Sequence, residues 1–300
     1  MRLLSTRHLK GLLKSLSKLI EFHDVSYTYN KGTPLEKKAL NHVSFSVDKG
    51  EFLAIIGHTG SGKSTLIQHL NGLLKPDTGK IIIDSQDTSG KGLKQLRKKV
   101  GIVFQYPEHQ LFEETVYKDI EFGLIKHNID EPERKLRIQE TARIMELSDE
   151  LLQKSPYELS GGQKRRAAIA GILVLQPDIL VLDEPIAGLD PRGCNELFNI
   201  VNNLYSSKNI TVILVSHSME TVADYAKRII VMDNGNIIID GNVNEVFLKD
   251  EELERNGLSV PQITKLMKKI NLKNDKISRE IFTVDQALEE IISYLEGKHD

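Results

Sequence analysis

Tryptophan is absent, and cysteine occurs once, at Cys194. A single thiol excludes a disulfide framework and any zinc or iron–sulfur site built from cysteines, and it fits a reducing compartment. Neither sign of charge dominates. Forty Lys+Arg stand against 42 Asp+Glu, a formal net charge of −2, so no global basic field argues for nucleic acid. Long apolar runs are missing too: the longest, Ala167 through Leu175, is about nine residues, roughly half of what a membrane-spanning helix needs. What is present suffices for a core. With 40% apolar residues in a chain of 300, disordered and fibrous classes are excluded, and one large α/β domain with a smaller appendage is expected.

Residues 1–19 stand apart as a basic N-terminal extension. Arg2, Arg7, Lys10, Lys14 and Lys18 precede the first acid, Glu21, while Leu9, Leu12, Leu13, Leu16 and Leu19 recur at helical spacing. Three readings stay open: a membrane-surface helix, an organellar targeting segment, or a tail added by an upstream start codon. From Ile20 the pattern turns to short strands, over residues 20–29, 43–47, 52–56, 100–104, 179–182 and 211–215. Residues 229–232 and 237–239 flank Asn234-Gly235, a two-residue hairpin signal. Residues 114–175 read as helices with charged faces, and this alternation predicts a largely parallel sheet. The main domain is placed at 20–246, with a helical subdomain at about 106–175 and a C-terminal extension at 247–300. In that extension Ser259 and Pro261 start a helix carrying Ile263, Leu266, Met267 and Ile270. Thr283 to Gln286 forms a capping box ahead of Leu288, Ile291, Ile292 and Leu295. These faces are expected to pack on the main domain or on a partner.

The chemistry begins at Gly57-His58-Thr59-Gly60-Ser61-Gly62-Lys63-Ser64-Thr65, which matches G-x-x-x-x-G-K-[ST]. Glycines let backbone N–H groups turn inward around phosphate oxygens. Lys63 brings a positive charge to the β- and γ-phosphates, and the Ser64 hydroxyl suits magnesium. An apolar strand precedes the loop and a helix is expected over residues 65–74. Four apolar residues then lead into Asp183 and Glu184; Asp183 is suited to hold magnesium and Glu184 to polarise an attacking water. Two further strands end in Gln105 and in Ser216-His217. Ligands in open α/β sheets sit beyond the carboxyl ends of strands, so Gly57, Gln105, Asp183, Glu184 and His217 are expected at one edge. Leu159-Ser160-Gly161-Gly162-Gln163 is a second N–H-rich turn at a helix start. One nucleotide does not need two such cradles, which points to a head-to-tail dimer whose turn closes on the partner's nucleotide.

In this order, the motifs resemble the ATP-binding subunit of an ABC transporter, over about residues 20–242. The implied fold is a P-loop NTPase α/β domain with a helical signature subdomain, an antiparallel N-terminal β portion and a small helical C-terminal extension. The resemblance implies ATP and Mg2+ as cofactors. It makes Gln105 a magnesium contact that also relays to the membrane subunit, Ala187-Gly188-Leu189-Asp190 the D-loop, and His217 the switch histidine. It also places Tyr29, or less readily Tyr27, on the adenine. More narrowly, the stretch from Gly57 through Leu66-Ile67-Gln68-His69-Leu70-Asn71-Gly72-Leu73-Leu74-Lys75-Pro76 is similar to the energy-coupling factor ATPases of vitamin and metal-ion uptake. So are Phe104 through Phe112, Gly162 through Arg166, Ser216 through Glu220, and Ser259-Val260-Pro261-Gln262. His58-Thr59 together with Leu111 through Thr115 resembles the A-prime member of an unequal ATPase pair. The partners implied are a second related ABC ATPase, a transmembrane coupling protein and a substrate-binding membrane protein, at the cytoplasmic face of the cell membrane. A homodimeric cobalt or nickel importer ATPase, and a non-transport ABC ATPase working on DNA or ribosomes, are the alternatives. Two departures are visible. Residues 1–19 have no counterpart, and Ile186 stands where a threonine is usual after Glu184-Pro185.

Overall fold

The computed structural model describes residues 18–90 and 92–297; residues 1–17 of the basic extension lie outside them. Two sheets form the centre. One is antiparallel, in the order β2-β1-β4-β5, from β1 (Lys18–Tyr29), β2 (Lys37–Asp48), β4 (Thr78–Ile83) and β5 (Gln86–Asp87). The other has six strands in the order β10-β9-β3-β8-β7-β6, from β3 (Phe52–Ile56), β6 (Val100–Val103), β7 (Ile179–Asp183), β8 (Thr211–Val215), β9 (Arg228–Asp233) and β10 (Asn236–Asn242). All its pairings are parallel except β9 with β10. The hairpin turn sits at Asn234-Gly235, where φ is 45° and 78°, both left-handed, as a tight turn matched to strand twist requires.

Strands β3, β7 and β8 are buried at every residue, which is why they read as unbroken apolar runs rather than alternating ones. Their side chains still alternate between layers. Leu53, Ile55, Val181, Ile213 and Val215 face the antiparallel sheet and α1 (Lys63–Leu70). Leu180, Leu182, Val212 and Leu214 face a helical layer. That layer comprises α3 (Val116–Lys126), α4 (Glu131–Ile144), α5 (Asp149–Gln153), α6 (Gly161–Leu173) and α7 (Pro191–Lys208). A short helix, α2 (Leu93–Lys99), leads into β6, and α8 (Met219–Tyr225) follows β8. Phe22 and Phe45 stack at 4.6 Å between β1 and β2, anchoring the antiparallel sheet.

Two expectations are corrected. The strand at the N-terminal side begins at Lys18, and Leu19, read as part of a helical stripe, is buried in it. The reason is pairing: Lys18 lies opposite Asp48, and Asp84 donates its backbone N–H to the Leu19 carbonyl at 2.8 Å. The helix expected over 65–74 runs from Lys63 to Leu70, because Asn71 caps it and Gly72 turns left-handed at φ 66°. In the C-terminal part, α9 (Val243–Phe247), α10 (Asp250–Arg255), α11 (Gln262–Asn271) and α12 (Val284–Leu295) form, with the expected capping box at Thr283. Val260 and Phe282 pack on the main domain, and Met267 and Ala287 bury against Ile277 and Ile281, while Leu266, Leu288, Ile292 and Leu295 point outward, as faces left for a partner would. Among the described residues no helix is long and apolar enough to cross a membrane.

Candidate active site

The loop between β3 and α1 is shaped by close packing against the rest of the sheet. A Cβ at Gly57 would stand 2.3 Å from the Met232 carbonyl oxygen; one at Gly62, where φ is 109°, would stand 2.5 Å from that of Ala39. Both distances are below any real contact, so only glycine fits. Lys63 opens α1 and is buried, its Nζ donating to the Gly57 carbonyl at 2.6 Å and the His58 carbonyl at 3.0 Å. Burial lowers its ammonium pKa, and the Glu184 and Asp183 carboxylates partly restore it. Ser64 is exposed, while Thr65 is buried and meets the Tyr29 hydroxyl at 3.3 Å. Tyr29, Gly60, Ser64 and Thr65 line one groove with Lys37, a cation that sequence reasoning passed over because the strand lysines around it look alike.

Replacing Lys63 with alanine deletes the one ammonium buried in this loop, and ATP affinity is expected to fall by at least about tenfold, as for a lost charge-assisted hydrogen bond. Titration of the purified chain with a fluorescent ATP analogue checks it; an unchanged affinity contradicts the assignment of Lys63 to phosphate.

The ends of β7 and β8 supply the other groups. Asp183, the last residue of β7, has its pKa raised to about 6 by burial and by the neighbouring Glu184 carboxylate. Glu184 adopts a left-handed φ of 49°, a conformation costly for a non-glycine residue and concentrated at functional sites. Its backbone N–H donates to the Val215 carbonyl at 3.0 Å, tying the turn to β8. The His217 N–H donates to Glu184 Oε2 at 3.4 Å, and His217 Nε2 lies 3.2 Å from Oε1, which is buried with no hydrogen bond of its own. Burial raises the Glu184 pKa and lowers that of His217. A carboxylate whose pKa is raised, with one oxygen accepting no hydrogen bond, is suited to take a proton from water. Lys63, Asp183, Glu184 and His217 are thus brought together. Gln105 follows Phe104 beyond β6 and is exposed, at the same edge of the sheet.

The donor set fits a hard divalent cation: the Ser64 hydroxyl, the Asp183 carboxylate and the Gln105 amide are all oxygen ligands. Burial is the leading cause of the raised pKa of both carboxylates, and the Lys63 ammonium opposes it at each.

The turn at Ser160 stands in the helical layer. Ser160 caps α6, its side chain accepting from the Gln163 N–H while Gln163 reaches back to the Ser160 N–H. Ser160, Gly161 and Gly162 are exposed, and a Cβ at either glycine would meet nothing within 4 Å. The chain's own packing therefore does not demand glycine there. Among the described residues no hydrogen bond or ion pair joins this turn to the loop at 57–65.

Arg165 was missed. It is 4% exposed, and its guanidinium grips Glu108 through Nε at 3.1 Å and Nη2 at 3.3 Å. Nη2 also donates to the Ala187 carbonyl at 2.9 Å, so one side chain holds the segments after Gln105 and after Glu184. In the sequence it is one of three consecutive cations; only its i,i+4 spacing to buried Ile169 distinguishes it. Ile186 packs against the helical-side core, which explains an apolar residue at that position.

The ABC transporter family profile matches residues 40–187. The energy-coupling factor transporter ATP-binding protein EcfA2 of Acetivibrio thermocellus is 56% identical over 92% of this chain and 98% of its own length. Among solved structures, cbiO1 of Clostridium perfringens, part of the ABC transporter complex cbiONQ, is 36% identical. It covers 87% of this chain and 97% of its own, with a TM-score of 0.71. A dimeric ATP-binding cassette in a post-hydrolysis state with ADP and phosphate is 30% identical, covering 75% of this chain and 98% of its own at a TM-score of 0.67. The chain belongs to the ATP-binding proteins of energy-coupling factor transporters, within the ABC transporter family.

Proposed function

We propose that this chain binds and hydrolyses ATP to power an energy-coupling factor importer of vitamins or metal ions. The observation that carries the reading is the meeting of Lys63, Asp183, Glu184 and His217 at one sheet edge, beside a loop in which Gly57 and Gly62 leave no room for a Cβ. In this reading the N–H groups of residues 57–65 and the Lys63 ammonium hold the phosphates, and Glu184 accepts the proton of the attacking water. His217 orients Glu184 and the γ-phosphate, and Tyr29 stacks on the adenine. Ser64, Asp183 and Gln105 hold Mg2+, which neutralises phosphate charge when bound.

The exposed turn Ser160-Gly161-Gly162-Gln163, open around both glycines, suits close approach by a second ATPase's nucleotide. The partner is proposed to be a related ABC ATPase, with this chain as the A-prime member. A transmembrane coupling protein and a substrate-binding membrane protein complete the assembly at the cytoplasmic face of the cell membrane. The domain limits proposed are 20–246 for the cassette, extended back to Lys18 by its first strand, with its helical part at about 106–175, and 247–300 for the C-terminal extension. The 56% identity to an energy-coupling factor protein, against 36% to cbiO1, favours this over a homodimeric cobalt importer.

Affinity purification of the tagged chain from detergent-solubilised membranes is expected to bring down a second ATPase and hydrophobic subunits. Recovery of the chain alone or as a homodimer, with no membrane protein, overturns the importer assembly.

A further inference from the structure

The phosphate loop is tied to the β9–β10 turn by more than packing. Both ring nitrogens of His58 face acceptors: Nε2 lies 2.6 Å from Asp233 Oδ1, and Nδ1 lies 2.8 Å from the Thr59 carbonyl oxygen. A neutral imidazole has one N–H and can satisfy only one of them; the imidazolium satisfies both. Asp233 is oriented in turn, since its Oδ2 accepts from Asn234 Nδ2 at 3.0 Å. Nearby, the Gly235 N–H donates to the Ser61 carbonyl, and the Gly235 carbonyl accepts from the Asn41 N–H, both at 2.9 Å. The turn therefore grips the loop at His58 and at Ser61, on either side of Thr59 and Gly60.

We propose that His58 and Asp233 form a charged latch that sets the phosphate loop for ATP, with Asp233 as a positioning residue and the loop's grip on nucleotide weakening as His58 loses its proton. The inference rests on the reading of residues 57–65 as the ATP-binding loop. The charged groups facing His58 are Asp233, at the end of β9, and Lys63, at the start of α1. The bond to the Thr59 carbonyl and then the bond to Asp233 raise the His58 pKa, while burial and the Lys63 ammonium oppose them. The sign follows. A histidine whose pKa is raised on folding contributes fully below the ordinary value of about 6.5 and loses its contribution as pH rises through the elevated one. His58 and Asp233 are 37% and 25% exposed, so solvent screens the pair and the expected effect is moderate.

Two measurements on the full-length chain test the latch, one of them without nucleotide. In nitrogen-15 histidine-labelled protein, His58 is expected to titrate above the ordinary histidine value, and Asp233→Asn is expected to move that titration downward. A wild-type His58 titrating at or below the ordinary value, or one indifferent to Asp233→Asn, overturns the latch whatever the ATP result. ATP affinity is then measured from pH 6 to 8.5. Relative to His58→Gln, which keeps a neutral donor toward Asp233, the wild type is expected to lose about three- to tenfold in affinity across the His58 titration. Identical pH profiles for the two proteins overturn the coupling to nucleotide. A wild type that binds no ATP at any pH, with the expected His58 titration intact, overturns the ATP reading instead.

Discussion

Glu184→Gln is expected to slow steady-state ATP hydrolysis by about 10²–10⁴-fold while leaving ATP binding nearly unchanged. An amide cannot accept the proton that the proposed base role assigns to Glu184, whose Oε1 is buried and accepts no hydrogen bond. The loss corresponds to roughly 3–5 kcal/mol of transition-state stabilisation. The amide is nearly the same size, and its oxygen can still accept the His217 N–H that now meets Oε2. The strained turn at Glu184 is therefore retained, and the variant separates chemistry from folding. Phosphate release by the assembled complex, with ATP binding measured in parallel, checks it. Accumulation of a closed, ATP-loaded dimer is the second expected sign. Near-normal turnover removes Glu184 from the base role.

Ser160→Arg tests the shared site. The turn it occupies has open space around Gly161 and Gly162 and no hydrogen bond to this chain's own phosphate loop. A long cationic side chain there is expected to leave ATP binding by this chain intact. It should lower turnover of the assembled ATPase pair on the order of 10²-fold, comparable with losing a donor set aimed at developing charge. The substitution also removes the N-cap of α6, worth about 1 kcal/mol of helix stability. Ser160→Ala is the control, because it removes the same cap without adding bulk and should retain much more activity. Equal losses in the two variants make this a capping effect, and full activity of an isolated monomer insensitive to Ser160→Arg ends the shared-site mechanism.

The parts of the fold that were legible are those whose cause is local. Residues 52–56 and 211–215 announce buried strands because both faces of a parallel sheet are covered, so every residue is apolar. The hairpin at Asn234-Gly235 is legible because few residues accept two successive left-handed conformations. The end of α1 was misplaced although its stop, Asn71 before Gly72, is also local; apolar Leu73 and Leu74 carried the helical pattern past it. Lys18 and Leu19 could not have been placed by local reasoning. Their basic, leucine-spaced context reads as helix, and only pairing to β2 and β4 draws them into a strand.

The sequence by itself determined which chemistry is carried. The spacing of glycines, Lys63 and Ser64 after an apolar strand, the acids after β7 and the histidine after β8 are short-range patterns whose residue types the reaction requires. The tertiary structure alone decided how those groups are tuned. His58 meets Asp233 across 175 residues, and Arg165 reaches Glu108 across 57 and the Ala187 carbonyl across 22. Asp183 reaches a pKa of about 6 only because the sheet buries it beside Glu184. No local pattern encodes such meetings. A charged side chain becomes a partner, a base or a latch through what the rest of the chain brings within about 3 Å of it, and through how much water that packing removes.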